Sequence, residues 1–282
     1  MGPGSEARVF RDLLVHVDGS QAGRQRVKFA IDLAERTGAR LDGLHVTPPA
    51  EAPPRQKPST LARVQRALEA ELAADALAAE AIFRDETAKL LSGARWFQAA
   101  GDMAANVNAR ARCADLVVLG QYEWQDPPHR HPLPVANFVA MQCGRPVLVV
   151  PAGAPTTQPN RVAIAWDGGR EVVRAVHDAL PLLRLARTID IMTIAGSPAA
   201  HHAGDGEELA THLAHHEVNA SISQRRVVTR DDHGSLRKEV EAGRYDLLVM
   251  GGYSHPMWME FVFGGATHSI LLSSKTPVLV SH

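Results

Sequence analysis

Two segments of the chain carry an aspartate that closes an apolar run and is directly followed by glycine. Asp18 ends the run L-L-V-H-V, and Asp167 ends the run V-A-I-A-W. A carboxylate in that place can accept hydrogen bonds from the edge of a nucleobase or a sugar. Aspartate also caps helices and forms local turns without any ligand. Both interpretations stay open for each residue considered alone.

A third segment, residues 251–267, is rich in glycine and leads into a helical pattern. Gly251 leaves an apolar run, and Gly264 and Gly265 precede a helix that we expect to start near Ala266. Glycine allows backbone N–H groups to approach phosphate oxygens closely, and a helix N-terminus favours negative charge. Thr267 adds a hydroxyl donor. The segment therefore predicts a phosphate site, although glycine pairs also mark ordinary turns.

Histidines are concentrated in the second part of the chain, at His201, His202, His212, His215 and His216. His212 and His216 stand one helical turn apart, a spacing that can ligate zinc. The surrounding residues have the pattern of an amphipathic surface helix, and no third ligand is evident. We therefore expect no metal in this cluster.

Familiar catalytic signatures are missing from the sequence. It has no Walker lysine motif, no G-x-S-x-G elbow and no credible Cys-His pair. We also find no positioned base or arginine finger that would activate a water for hydrolysis. The sequence predicts a binding protein, with weak ATP hydrolysis as the most that could accompany binding.

These segments belong to an internal duplication. Asp167 follows Asp18 by 149 residues, whereas D-L-L-V-M-G at Asp246 follows D-L-V-V-L-G at Asp115 by 131. The first copy therefore carries about 18 more residues, which fall within 47–91. Residues 152–160 have linker composition. We predict two domains, residues 1–154 and 160–282, called the first half and the second half below.

Each half alternates short apolar runs with helical patterns, which predicts parallel strands covered by helices on both faces. Expected strands in the first half are residues 11–17, 40–46, 94–98, 115–120 and 146–150, with a helix over 21–36 that Gly38 ends. Expected strands in the second half are 161–166, 188–194, 220–228, 246–250 and 277–281. The fold class is α/β, with two tandem doubly wound parallel sheets of five strands each. Ligands of such sheets bind beyond the carboxyl ends of the strands, where strand order reverses.

Composition limits the classes of partner. The chain has 282 residues and a formal charge of −1, so it lacks the basic character of a nucleic-acid-binding protein. No apolar run approaches the ~20 residues that span a bilayer. We expect a cytoplasmic protein without nucleic-acid or membrane partners.

Four ordered motifs together resemble the universal stress protein family across both halves. They are V-D-G-S at Val17, the His45-Val46 end of the second strand, D-L-V-V-L-G at Asp115 and P-V-L-V-V at Pro146. The resemblance implies a Rossmann-like fold of the adenine nucleotide alpha-hydrolase type. In nucleotide-binding members a G-x-x-G-x9-G-[S/T] loop holds the phosphates of ATP, and the first-strand aspartate contacts adenine.

By this resemblance, the ligand residues of the second half include Asp167, Ile194 and Gly251. Ser254 stands where the second loop glycine is expected, Gly264 matches the third, and Gly265 takes the hydroxyl position, with Thr267 as a substitute and His255 as the nearby candidate cation. In the first half the same resemblance points to Asp18 and Val46.

Glu123 replaces the second loop glycine of the first half, and a carboxylate there would repel phosphate. The resemblance therefore implies ATP or AMP in the second half, with Mg²⁺ only as a companion of the nucleotide. The alternative is a ligand-free scaffold or protein-interaction module, which the apolar loop residues 257–259 favour.

The resemblance also implies how the halves assemble. In this family the last strand pairs across a dimer interface, and an exposed apolar edge strand needs such a partner. Here those strands are residues 147–150 and 278–280. Tandem copies can pair with each other and form an intramolecular pseudo-dimer, and a homodimer of the whole chain is also possible.

Overall fold

The structure is a computed structural model of the 282-residue chain. It describes residues 10–50, 58–122, 134–154, 159–195, 206–223, 227–228, 234–253 and 266–282. The predicted domain boundary near residue 155 falls outside these ranges, so the division into two domains stays a prediction.

The first half alternates strands and helices throughout. Its elements are β1 (Asp12–His16), α1 (Gln21–Thr37), β2 (Arg40–Thr47), α2 (Pro58–Thr87), β3 (Ala94–Ala100), α3 (Met103–Ala111), β4 (Leu116–Gly120), α4 (Val135–Gln142) and β5 (Val147–Val150). Every strand expected from the sequence is present, within about two residues at each end. The additional residues of this half contribute to the 30-residue helix α2.

The second half repeats that order. Its elements are β6 (Arg161–Trp166), α5 (Arg170–Leu183), β7 (Thr188–Ala195), α6 (Glu207–His215), β8 (Ser221–Ile222), β9 (Val227–Val228), α7 (Gly234–Ala242), β10 (Leu247–Gly251), α8 (Ala266–Ser273) and β11 (Val278–Ser281). The single strand expected over 220–228 is present as two short segments. Both pair in parallel with β7, so together they occupy one strand position.

All of these strands join one sheet, in the order β3-β2-β1-β4-β5-β11-β10-β6-β7-β8, with β9 also paired to β7. Within each half every pairing is parallel. Strand order reverses between β1 and β4 and again between β6 and β10. This confirms the expected α/β fold with doubly wound topology and locates the two places where ligands bind such sheets.

The two halves meet at the last strand of each. β5 and β11 are antiparallel, with Leu148 opposite Leu279. These two leucines are 131 residues apart, the offset of the sequence repeat, so the register is symmetric about them. A hydrogen-bonded contact between Asn137 Nδ2 and His268 Nδ1, 2.9 Å apart, links α4 to α8 at the same offset. Equivalent surfaces of the two copies therefore face each other.

Helices cover both faces of the sheet, and each face has its own apolar core. One core packs α1, α2 and α5 on the sheet, with Leu33, Phe83 and Leu182 among its fully buried members. The other packs α3, α4 and α8 on the opposite face. No helix in the described part of the chain has the length and apolar character needed to cross a membrane.

Helix α1 begins and ends as its sequence predicts. The Ser20 hydroxyl caps it by accepting a 2.9 Å hydrogen bond from Gly23 N–H. Gly38 ends it with φ of 68°, a left-handed conformation that glycine adopts without steric cost. These caps fix where α1 starts relative to the end of β1, and therefore which α1 residues lie beside Asp18.

Candidate functional site

A cavity of about 240 Å³ lies at the switch point of the first half, beyond the carboxyl ends of β1 and β4. We call it the first-half cavity. Its walls come from the ends of both strands and from the first turns of α1, α3 and α4. The lining residues are His16, Asp18, Ser20, Gln21, Ala22, Arg26, Met103, Leu119, Gly120, Gln121, Tyr122, Val135 and Ala136. The cavity therefore occupies the place where doubly wound sheets bind ligands.

Asp18 lies in this cavity and is 9% exposed. One of its carboxylate oxygens, Oδ1, accepts from the Ser20 backbone N–H at 3.0 Å and from the Ser20 hydroxyl. The other oxygen, Oδ2, accepts from Arg26 Nη2 at 2.5 Å. Both carboxylate oxygens are thus engaged within the protein.

Arg26 comes from α1 and is also buried, at 5% exposure. Its Nε donates to the His16 carbonyl at 2.7 Å, and its Nη2 lies 3.5 Å from His16 Nδ1. Burial by itself would raise the pKa of Asp18. The charges of Arg26 and His16, with the hydrogen bonds from Ser20 and Arg26, outweigh that effect and hold the pKa of Asp18 well below its usual value.

Helix α2 supports the turn that follows Asp18. The Gly19 N–H donates to Asp75 Oδ1 at 3.1 Å. A Cβ at Gly19 would overlap with Asp75 and Ala78, so only glycine permits this close approach. Helix α2 therefore fixes the backbone beside the cavity.

The corresponding place in the second half is built differently. Asp167 is half-buried, and its Oδ1 accepts from Gly169 N–H at 2.9 Å. The residue eight positions after it on α5 is Ala175, fully buried, where the first half has Arg26. Asp167 consequently has no counterpart of the buried ion pair among the described residues.

The glycines at the ends of β4 and β10 also have different neighbours in the two halves. A Cβ at Gly120 would overlap with Arg26 Nη1, whereas a Cβ at Gly251 would overlap with the backbone of α5 at Glu171 and Val172. The first half therefore uses the space beside its glycine for a guanidinium. The second half uses that space for the start of a helix.

Some of the other predicted ligand residues are buried or lie in a strand, and the rest lie outside the described residues. Val46 is buried in the core at 4% exposure. Ile194 lies in β7, paired in register with Val227. Thr267 is 6% exposed, and its hydroxyl accepts from the Tyr253 N–H at 3.4 Å. Ser254, His255, Gly264, Gly265 and Glu123 lie outside the described residues.

The histidine cluster gains a member that the sequence did not indicate. His177 of α5 lies with His212 and His216, and the three ring centroids are 4.8–6.0 Å apart. No group of three His, Cys, Asp or Glu side chains in the described ranges is arranged to hold a metal ion. His201 and His202 lie outside those ranges.

Sequence reasoning missed Arg26, which decides the electrostatics of the first-half cavity. One signal could have revealed it. The buried stripe of α1 runs through Gly23, Val27, Ala30 and Leu33, and Arg26 falls on that stripe. A lone arginine on a core-facing stripe needs a buried acidic partner, and Asp18 is the nearest acidic residue before it in the sequence.

Comparison with known proteins places the chain in a family. The model of the universal stress protein family matches residues 10–151, half of the sequence. The chain belongs to the universal stress protein family. The matched residues are those of the first half, which has the described cavity and the engaged Asp18. No curated protein matches the chain.

Solved structures match nearly the whole chain. A universal stress protein from Archaeoglobus fulgidus DSM 4304 has a TM-score of 0.68 at 15% identity, covering 96% of this chain and 95% of that one. A functionally unknown protein from Pseudomonas aeruginosa PAO1 has a TM-score of 0.56 at 15% identity, covering 96% and 92%. At such identities the matches show a shared fold that extends over both halves.

Proposed function

We propose that the second half binds an adenine nucleotide, ATP or AMP, and that this universal stress protein acts in the stress response as a regulatory binding protein without efficient turnover. The observation that carries the proposal is the difference between the two strand-end aspartates. Asp18 is enclosed and paired with Arg26, whereas Asp167 is half-buried and paired with no cation among the described residues.

Asp167 has an oxygen available for a ligand. Its Oδ1 receives the Gly169 N–H, and its Oδ2 has no hydrogen-bond partner in the described part of the chain. An adenine amino group or a ribose hydroxyl is a donor that this oxygen can accept. Asp18 cannot do so without giving up Arg26 or Ser20.

The phosphate contacts of the proposal rest on the sequence. Gly251, at the end of β10, and Thr267, in the first turn of α8, flank the loop that contains Ser254, His255, Gly264 and Gly265. The N-terminus of α8 would favour phosphate charge. Mg²⁺ would enter only with the nucleotide.

The symmetric contact of the halves supports an assembly proposal. The antiparallel β5–β11 pair is centred on residues related by the repeat offset. We propose that the two halves form an intramolecular pseudo-dimer through these strands. A homodimer of the whole chain would then use another surface.

Binding is tested by isothermal titration of ATP and AMP into the wild type, Asp167→Ala and Gly264→Val. Loss of a hydrogen bond to a charged group costs roughly 1.5–3 kcal/mol, so we expect affinity to fall by about tenfold or more for Asp167→Ala. Glu208→Ala, an exposed carboxylate on α6, is the control and should bind as the wild type does. Unchanged affinity in both site variants would overturn the proposal.

The second candidate function is a protein-interaction module that binds no nucleotide. A groove beside α2 favours it, since Leu72, Ala76 and Leu77 line that groove and Leu77 is 71% exposed. Mass analysis of molecules released by heating the purified protein separates the two candidates. A released adenine nucleotide supports the first, and a protein that neither releases nor titrates nucleotide supports the second.

A further inference from the structure

A second cavity, of about 500 Å³, lies where the two halves meet, and we call it the junction cavity. It lies at the amino ends of β4 and β5, the opposite edge of the sheet from the first-half cavity. Its lining includes Asp115, Gly144 and Arg145 from the first half and Arg174, His177 and Asp178 from the second. The volume falls within the roughly 300–1,000 Å³ of small-molecule sites, which occur preferentially at such interfaces.

The antiparallel pairing of the last strands brings α5 to this place. Because β5 and β11 run in opposite directions, the amino end of β5 lies beside the carboxyl end of β11. There Ser281 donates its hydroxyl hydrogen bond to Asp178 Oδ2 at 3.0 Å. Arg174 Nη2 donates to the Gly144 carbonyl at 3.1 Å, across the junction. These contacts fix the two walls of the cavity relative to each other.

Two arginines, one from each half, supply hydrogen-bond donors to the cavity. Arg145 Nη2 donates to the Arg112 carbonyl at 3.0 Å, and its Nε and Nη1 have no partner within the described residues. Arg174 uses Nη2 and Nε, which leaves its Nη1 without a described partner. Both charges act on the Cys143 thiol, where burial raises the pKa while hydrogen bonds and the two guanidiniums oppose that rise. The two guanidiniums are therefore close together.

Two carboxylates supply hydrogen-bond acceptors to the same cavity. Asp115 Oδ2 accepts from the backbone N–H groups of Arg11 and Asp12 at 2.7 and 3.1 Å. Asp178 Oδ2 accepts from Arg174 Nε at 3.3 Å. The Oδ1 atoms of both aspartates have no hydrogen-bond partner in the described ranges. A hydroxyl group can donate to such an oxygen, so the cavity suits a ligand that has hydroxyls as well as an anionic group.

The arginines are not a general requirement for pairing the halves. The repeat offsets of 131 and 149 residues relate Arg145 to Thr276 and Arg174 to Gln25. Thr276 donates its hydroxyl hydrogen bond to the Tyr245 carbonyl, and Gln25 Oε1 accepts from the Gly153 N–H. Those positions of the symmetric junction thus make their contacts without a guanidinium. The arginine pair distinguishes one side of the junction from the other.

We propose that the junction cavity binds a small phosphate monoester that carries hydroxyl groups, with the phosphate held by Arg145 and Arg174. A planar carboxylate is matched by one guanidinium fork, whereas the terminal oxygens of a phosphate can accept from two guanidiniums at once. The hydroxyls of the ligand donate to Asp115 and Asp178. This site differs from the nucleotide site proposed for the second half, and neither proposal requires the other.

The test titrates glucose 6-phosphate, glucose and inorganic phosphate separately into the full chain. Backbone amide NMR shifts at Gly144, Arg145 and His177 report occupancy of the junction cavity. We expect glucose 6-phosphate to bind with millimolar or tighter affinity. Glucose lacks the phosphate, and inorganic phosphate lacks the hydroxyls of the sugar, so each should bind more weakly.

The decisive variants are Arg145→Gln and Arg174→Gln. Neither arginine is buried, so both variants should fold, which circular dichroism checks. Each loses a hydrogen bond to a charged group, and we expect the affinity for glucose 6-phosphate to fall about tenfold. Arg170→Gln is the matched control, because Arg170 lies one turn earlier on α5 and is paired with Glu171. It should bind as the wild type does.

Three outcomes would overturn the proposal. They are no shift of the three amides with glucose 6-phosphate at millimolar concentration, equal binding of glucose 6-phosphate and either simpler probe, and unchanged affinity in both arginine variants. The last outcome would leave the arginines with a structural role only. Asp167→Ala should keep glucose 6-phosphate binding intact, so failure here is distinguishable from failure of nucleotide binding in the second half.

Discussion

The two halves share one topology but differ at the end of their first strand. In the first half Asp18 is buried, doubly hydrogen-bonded to Ser20 and paired with Arg26. In the second half Asp167 is half-buried and receives one turn N–H, and Ala175 replaces the arginine. Both halves have the same strand order, and the difference between Arg26 and Ala175 on the following helix changes the hydrogen bonds of the aspartate.

The comparison shows that an equivalent aspartate is not an equivalent ligand. A carboxylate whose oxygens are already bound contributes to stability, whereas one with an open oxygen can contribute to recognition. Asp75 of α2 also holds the turn after Asp18, because its Oδ1 accepts from the Gly19 N–H.

The largest effect should come from Arg26→Ala, which leaves Asp18 buried without its cation. Breaking one side of a buried pair costs about 3–5 kcal/mol, so we expect the free energy of unfolding to fall by about that amount. Urea denaturation followed by circular dichroism measures it. Arg24→Ala removes a half-buried partner of Glu86 and should lower the free energy of unfolding by less than Arg26→Ala does. Equal effects of the two variants would show that the buried pair does not stabilise the first half.

At the interface between the halves, equivalent substitutions in the two halves should have similar effects on the free energy of unfolding. Leu148 and Leu279 are fully buried and face each other across β5 and β11. Leu148→Ala and Leu279→Ala should each lower the free energy of unfolding by about 2–5 kcal/mol, and by similar amounts. Thermal and urea unfolding measure both. A clear inequality would contradict the symmetry inferred from the register.

Acid should weaken the first half through Asp18. Its pKa is depressed in the folded state, so its stabilisation is present above the unfolded pKa of about 3.9 and is lost as pH falls below that value. Asp18→Asn/Arg26→Gln should flatten the acid limb of stability against pH. Urea midpoints between about pH 5 and pH 2 measure the slope. An unchanged slope in the folded double variant would assign the acid sensitivity to other carboxylates.

The smallest effects concern the helix caps beside the two aspartates. Ser20 caps α1 with its hydroxyl, whereas Gly169 stands at the same place before α5 without a side-chain cap. Ser20→Ala should cost about 1 kcal/mol, and Gly169→Ser should gain a few tenths, because its extended backbone suits serine. Thermal melts compare the two. Stabilisation by Ser20→Ala would show that the Ser20 contacts strain the Asp18 turn.

Much of the fold was predictable because apolar runs and turn residues are local signals. The strands of the first half and the start and end of α1 follow from them within a few residues. The third strand of the second half was predicted less well. It is two short segments, and the described residues Ser221 and Ile222 are exposed, so its hydrophobic pattern carries little information about register.

The candidate site was only partly predictable. The Asp-Gly ends of β1 and β6 were found as ligand candidates from their position alone. The sequence did not predict that Asp18 pairs with Arg26, eight residues away on another element. Nor did it predict that His177 lies beside His212 and His216, since these residues come from different helices.

The sequence by itself determined the duplication, the α/β class and the strand ends where ligands bind, because periodicity and glycine placement are properties of short segments. Only the tertiary structure decided which aspartate has an oxygen without a partner among the described residues. That depends on which side chain of the next helix enters the switch point, and on the packing that removes Asp18 and Arg26 together from water. The two halves share one strand order. They differ at the end of the first strand, where a contact between distant residues decides whether the aspartate is paired with a cation.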